Sequence, residues 1–134
     1  MGRFETLVIE LFIQNGHIYT HYSGRGIYIR LQVHAETAAE LDIFVRNYNG
    51  TVTRNRRWYL WQVGDSWDVN AMLESVILHS RTPAYMKEQA ELGLEFLKTK
   101  SKSEKQALAT RIRALQASRP KTSRRGLFPR FSSR

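Results

Sequence analysis

Several short stretches of this chain alternate residue types so that side chains able to do chemistry fall on one side of a strand. In residues 27–34, Ile27, Ile29, Leu31 and Val33 share one face, and Tyr28, Arg30, Gln32 and His34 share the other. Upstream, His17, Tyr19 and His21 repeat with the same period of two. Downstream, Thr51 and Thr53, then Arg57, Tyr59 and Trp61, extend the pattern. As strands of one sheet, these residues are expected to point the same way. Arg and Gln hydrogen-bond to base edges, and aromatic rings stack on unpaired bases. The set, His34 left aside, therefore reads as a nucleic-acid contact surface, against the plainer reading of a solvated or protein-covered sheet face. Arg25 in a Gly-rich turn, and Arg54, Arg56 and Arg57 around a second turn, suit either phosphate contact or a solvated tip. His17 and His21 have no third ligand in view for a metal ion. Glu10 reads as a helix-surface charge or a hydrogen-bond partner before it reads as a general base.

The totals narrow the classes. The chain has 134 residues, of which 42% are hydrophobic, enough for one domain with an extension. It has no cysteine, which excludes disulfides, thiolate zinc sites and thiol catalysis. No apolar run approaches the ~18 residues that span a bilayer, and the sequence enters an apolar helix almost at once, with no visible presequence. The net charge of +9 is unevenly spread. Residues 1–97 hold nine Lys/Arg and eleven Asp/Glu, a balance of −2. Residues 98–134 hold twelve Lys/Arg against the single acid Glu104, a balance of +11. A basic arm on a near-neutral body suits a polyanion. Arg119, Lys121, Arg124, Arg125, Arg130 and Arg134, interleaved with Phe128 and Phe131, form its far end.

The elements that must position these residues follow from periodicity and caps. Phe4, Leu7, Val8 and Leu11, flanked by Ile9, Phe12 and Ile13, predict a helix over 3–14, apolar on more than one side and so buried between the strands and a partner helix. Asn15-Gly16 is expected to end it, with Gly16 at positive φ. Strands follow at 17–22 and 27–34. Thr37 and Glu40 form a capping box before a second helix with Leu41, Phe44, Val45 and Tyr48 on its stripe. Asn49-Gly50 ends that helix. Strands are predicted at 51–54 and 57–63, with the turn at Asn55-Arg56. A third helix starts near Ser66, a fourth at Thr82-Pro83, and a basic fifth after the Ser101/Glu104 capping box. The result is an α+β chain, each half reading helix then hairpin: residues 1–98 a domain, 99–117 a basic helix, and 118–134 a basic flexible tail.

That order, with Val8–Gly16 (VIELFIQNG) before the strand 17–21, Trp58–Val63 in the second hairpin, and Lys87-Glu88-Gln89-Ala90-Glu91-Leu92 in a closing helix, resembles the LAGLIDADG homing endonucleases over about residues 3–98. The resemblance implies a curved antiparallel sheet that lies against DNA, and a motif helix that pairs with a second copy or repeat. It also implies a divalent metal held by the acid before the terminal glycine of the motif. That acid falls on Asn15, and a neutral amide is a poor ligand for Mg²⁺. The motif's other acid falls on Ile13, its small helix-packing position on Glu10, and the basic active-site neighbour on Met86.

The sequence therefore reads as a nucleic-acid-binding protein on a catalytically degenerate scaffold, with no cofactor. Its expected role is a structural component of a ribonucleoprotein, such as an organellar ribosome, or an intron-splicing factor, with RNA favoured over DNA. The expected setting is an organelle or a prokaryotic cytoplasm, with no membrane partner and no secretion. One alternative is an active, Mg²⁺-dependent homodimeric DNA endonuclease paired through the helix over 3–14, against which the bulk and charge of Glu10 count. Another is a protein-interaction domain using the aromatic sheet face.

Overall fold

The computed structural model describes residues 3–24 and 26–117, with side chains from Thr6 onward. Arg25 and the tail residues Arg119, Lys121, Arg124, Arg125 and Arg130 lie outside the described residues. The elements are α1 (Arg3–Asn15), β1 (Gly16–Ser23), β2 (Gly26–Ala35), α2 (Asp42–Tyr48), β3 (Thr51–Asn55), β4 (Trp58–Val63), α3 (Ser66–Leu78), α4 (Ala84–Lys98) and α5 (Lys102–Gln116). The four strands form one antiparallel sheet in the order β1-β2-β4-β3. This is the α+β architecture expected from the sequence.

Local signals account for most boundaries. Thr37 and Glu40 make the reciprocal capping box: the Thr37 backbone N–H donates to Glu40 Oε1 at 3.1 Å, and the Glu40 N–H to Thr37 Oγ1 at 3.3 Å. The box opens a short 3₁₀ turn, Ala39–Leu41, and α2 proper begins at Asp42. Asp65 caps α3, accepting from the N–H groups of Trp67 and Asp68. Ser101 caps α5, accepting from the Glu104 N–H.

The helices cover one face of the sheet and leave the other open. Val8, Phe12, Ile29, Leu31, Phe44, Trp61, Met72, Leu73, Met86, Phe96 and Ile112 join one core, so α5 belongs to the same packed body as the sheet. The first helix is not buried all round. Val8, Ile9, Leu11 and Phe12 are buried, whereas Leu7 is 40% exposed and Glu10 lies at the surface of α1. Glu10 pairs within the chain, 3.5 Å from His79 and 3.8 Å from Arg81 at the end of α3.

Two glycines have different reasons to be glycine. Gly50 has φ +88, and a Cβ there would come within 2.6 Å of the Gln62 carbonyl oxygen and 2.7 Å of Trp61 Nε1. Gly16 does not adopt positive φ, contrary to expectation. The chain passes from α1 straight into β1, and a Cβ at Gly16 would overlap the Phe12 ring. The residue is small because an aromatic ring of the preceding turn packs over it, not because the backbone is left-handed.

Trp61 joins the two halves of the fold. It is fully buried, its ring centroid lies 4.9 Å from that of Phe44, and its indole N–H donates to the Asn49 carbonyl at 2.7 Å. Replacing Trp61 with Phe removes that donor and strands a carbonyl in the α2–β3 turn. A loss of about 1–3 kcal/mol is expected in chemical denaturation, and an unchanged midpoint would refute this role. Gly16→Ala should cost about 1–3 kcal/mol by overpacking against Phe12; a neutral thermal melt would show that Phe12 can move aside freely.

Candidate nucleic-acid interface

Strand register decides which side chains share the open face of the sheet. His17 pairs with Gln32, Tyr19 with Arg30, and His21 with Tyr28 across β1 and β2. Gln32 pairs with Gln62 and His34 with Leu60 across β2 and β4. Thr51 pairs with Gln62, Thr53 with Leu60, and Asn55 with Trp58 across β3 and β4. Since paired residues lie on the same face, one row, His17–Gln32–Gln62–Thr51, crosses all four strands. At its centre Gln32 Nε2 donates to Gln62 Oε1 at 3.2 Å.

This register puts His17, Tyr19, His21, Tyr28, Arg30, Gln32, Thr51 and Thr53 together, as the alternation predicted. It does not put Tyr59 and Trp61 with them. Trp61 pairs with the buried Val33, and Tyr59 with the buried Ala35, so both lie on the helix-covered face. The β3–β4 turn spans Arg56 and Arg57, because Asn55 pairs with Trp58. A two-residue loop pairs odd-numbered with even-numbered residues. Thr51 and Thr53 must therefore share their face with Trp58, Leu60 and Gln62. Arg54 pairs with Tyr59 and falls on the opposite side, its guanidinium carbon 5.9 Å from the Tyr59 ring centroid. Arg56, at φ 58, and Arg57 occupy the exposed tip, not the strand. The sequence reading missed Asn55, Trp58, Leu60 and Gln62, which turn length alone could have identified. It placed His34 on this face but did not carry it into the site.

The first hairpin holds an aromatic ladder. The rings of Tyr19 and His21 are stacked, with centroids 5.7 Å apart and planes 7° from parallel. His21 and Tyr28 follow at 5.6 Å and 33°. Tyr19 and Tyr28 remain 45% and 47% exposed. Partial burial, and secondarily the nearby Arg30 charge, lower the pKa of His21 from its usual 6.5. The imidazole is thus held in its neutral form at neutral pH. His17 and His34 meet edge-on at 6.5 Å.

The basic helix α5 is tied to this sheet at the β1 side. Gln89, fully buried on α4, donates through Nε2 to the Ile112 carbonyl at 2.9 Å and to Gln116 Oε1 at 3.3 Å. Gln116 Nε2 in turn lies 3.1 Å from His17 Nδ1. Arg113 donates to the Tyr22 hydroxyl at 3.4 Å and sits 5.4 Å above its ring. The described residues end at Ala117, one residue past Gln116. At another border of that face, Asp65 and Asp68 share a groove with Tyr28, Arg30 and Gln62, and their charge disfavours phosphates there.

The position expected to hold a divalent metal does not suit one. Asn15 Nδ2 donates back to the Leu11 carbonyl at 3.3 Å, so its amide hydrogens are turned to the helix. Met86 is fully buried in the core and brings no basic group to that position. Glu10 is engaged with His79 and Arg81. Among the described residues, no three His, Asp or Glu side chains gather as a metal site.

No family model matches the sequence, and no curated protein is similar to it at the sequence level. Solved structures are similar in fold. The homing endonuclease I-CvuI in complex with the I-CreI target superposes with a TM-score of 0.69 at 17% identity, covering 90% of this chain and 85% of that one. The archaeal intron-encoded homing endonuclease I-Vdi141I complexed with DNA gives 0.67 at 9% identity, covering 90% and 87%. The LAGLIDADG homing endonuclease I-GzeII in complex with its DNA target gives 0.58 at 13% identity, covering 86% of this chain but 44% of that one. Through its element order, its four-stranded antiparallel sheet and these superpositions, the chain has the fold of the LAGLIDADG homing endonucleases.

Proposed function

We propose that this protein binds nucleic acid through the open face of its sheet, with α5 and the basic tail following the phosphates, and that it does so without metal-dependent cleavage. One observation carries the reading. The sheet that comparable structures hold in DNA complexes here exposes Tyr19, Tyr28, Arg30, Gln32 and Gln62 on one face, while the position of the metal-binding acid is Asn15, an amide bonded to its own helix. Arg30 and Gln32 offer donors for base edges, and neither lies in the core. A Mg²⁺ ion prefers carboxylate and water oxygens, and neither Asn15 nor Met86 supplies a charged group to that site.

The finer role in this proposal is structural, in a ribonucleoprotein or in intron splicing. The charge distribution supports it. The domain is near neutral, while residues 98–134 carry +11, a layout suited to a body seated on folded RNA with an arm laid along phosphates.

Co-purified nucleic acid should remain uncut when the protein is incubated with Mg²⁺; specific double-strand cuts would overturn the non-cleaving reading. Removing residues 118–134, six of which are Lys or Arg, should weaken binding at about 0.1 M salt. It should also flatten the slope of log K against log salt by about 0.7–0.9 for each phosphate that the tail no longer neutralises. An Arg30→Ala, Gln32→Ala double variant should lose about 1–3 kcal/mol of discrimination for each base that these side chains read. Binding that is insensitive both to salt and to these changes would point instead to a protein partner on the sheet.

A further inference from the structure

The first hairpin carries a feature that general nucleic-acid binding does not require. Tyr19, His21 and Tyr28 line up ring against ring on the open face, and the two tyrosines at its ends are about half exposed. Such a row costs free energy when left in water, and among the described residues no helix covers it: α5 meets the strand at His17 and Tyr22 and leaves Tyr19 open. Arg30 stands directly across from Tyr19. No acidic residue lies on the open face of β1 or β2. An aromatic surface next to a guanidinium complements a group with a π-face and a nearby negative charge at the Tyr19 end, whereas Asp65 and Asp68 share a groove with Tyr28 and Arg30.

A nucleotide has that combination, but only when its base is unpaired. In a duplex each base face is occupied by its neighbours and a protein reads the edges. In a single strand or loop the face is available, and aromatic side chains stack on it without regard to sequence. The His21 ring already neighbours both phenols, Tyr19 along the strand and Tyr28 across it, and its Nδ1 is buried and without a hydrogen-bond partner among the described residues. It therefore supports the outer rings instead of reading an edge.

We infer that the Tyr19–His21–Tyr28 ladder, with Arg30 beside it, is a stacking subsite for unpaired nucleobases of a single-stranded polynucleotide. The inference rests on the sheet face being the nucleic-acid-binding surface and adds the class of substrate taken at one end of it. The lowered pKa of His21 fits, because a neutral imidazole keeps charge out of the stack.

The test uses the full-length chain and fluorescence anisotropy with three labelled probes: an RNA single strand of about 15 nucleotides, the same sequence as single-stranded DNA, and a DNA duplex of equal length. Both single strands should bind more tightly than the duplex. Tyr19→Ala and Tyr28→Ala should each weaken single-strand binding about 5- to 100-fold, and by a larger factor than they weaken duplex binding. Tyr19→Phe and Tyr28→Phe, which keep the ring, should bind as the parent does. Both tyrosines are surface residues, and the Phe variants also separate loss of stacking from loss of folding. Equal binding of the RNA and DNA strands would support recognition of the base alone. A preference for RNA would support the subsite with an added hydrogen bond to the 2′-hydroxyl. Tight duplex binding without single-strand binding, or alanine variants that bind as the parent, would overturn the subsite while leaving nucleic-acid binding intact. Failure to bind any probe would overturn both.

Discussion

The burial of Trp61 is the constraint on which the rest of this structure depends. A tryptophan in the core needs a partner for its indole N–H, and this one finds the Asn49 carbonyl at 2.7 Å. That carbonyl is presented by a turn whose residues Asn49 and Gly50 both have positive φ. The turn leaves no room for a Cβ at Gly50. Helix α2, the start of β3 and the middle of β4 are therefore held together at one point. Once Trp61 faces inward, alternation sends Trp58, Leu60 and Gln62 outward. The composition of the open face is thus a consequence of one buried ring.

A second constraint runs through glutamines. Gln89 is buried among apolar side chains, where an unpaired amide would be costly. Its Nε2 donates to the Ile112 carbonyl and to Gln116, while its Oε1 has no partner among the described residues, and Gln116 reaches His17. The connection joins α4, α5 and β1 at one side of the sheet. Helix α5 has Leu108, Ala109 and Ile112 in the core and carries Lys102, Lys105, Arg111 and Arg113 on its exposed or half-exposed positions. The same element closes the core and carries positive charge, of which Arg113 meets the sheet at Tyr22, while Arg111 and Lys105 lie against α4 at Glu88 and Phe96. Charge and fold are coupled here.

The departures from the homing-endonuclease pattern have local physical accounts. Asn15 takes the end of α1 as a hydrogen-bonded amide, Met86 fills core volume, and Glu10 meets His79 and Arg81. Each of these side chains has a partner or a packed surface of its own. At each of these positions the side chain serves ordinary packing or pairing. The open face, in contrast, keeps large exposed rings and polar side chains that the fold itself does not consume.

Much of this was legible in the residues alone. The order of helices and strands followed from helix starts at Thr37, Ser66 and Ser101 and from alternation in residues 27–34, because those signals act between residues two to four apart. The split of charge between body and tail was likewise plain in the chain. The tertiary structure decided three other matters. It turned Tyr59, Trp61 and Arg54 to the side of the sheet that the helices cover, because a two-residue turn fixes which residues of the hairpin share a face but not which of its two aromatic-bearing faces is buried. It assigned Gly16 to a close approach by Phe12 rather than to a left-handed turn. It also brought Gln116 to His17, 99 positions away in the chain. Periodicity is a property of neighbours along the backbone. Which side is buried, and which distant amide meets which ring, are properties of the packed whole.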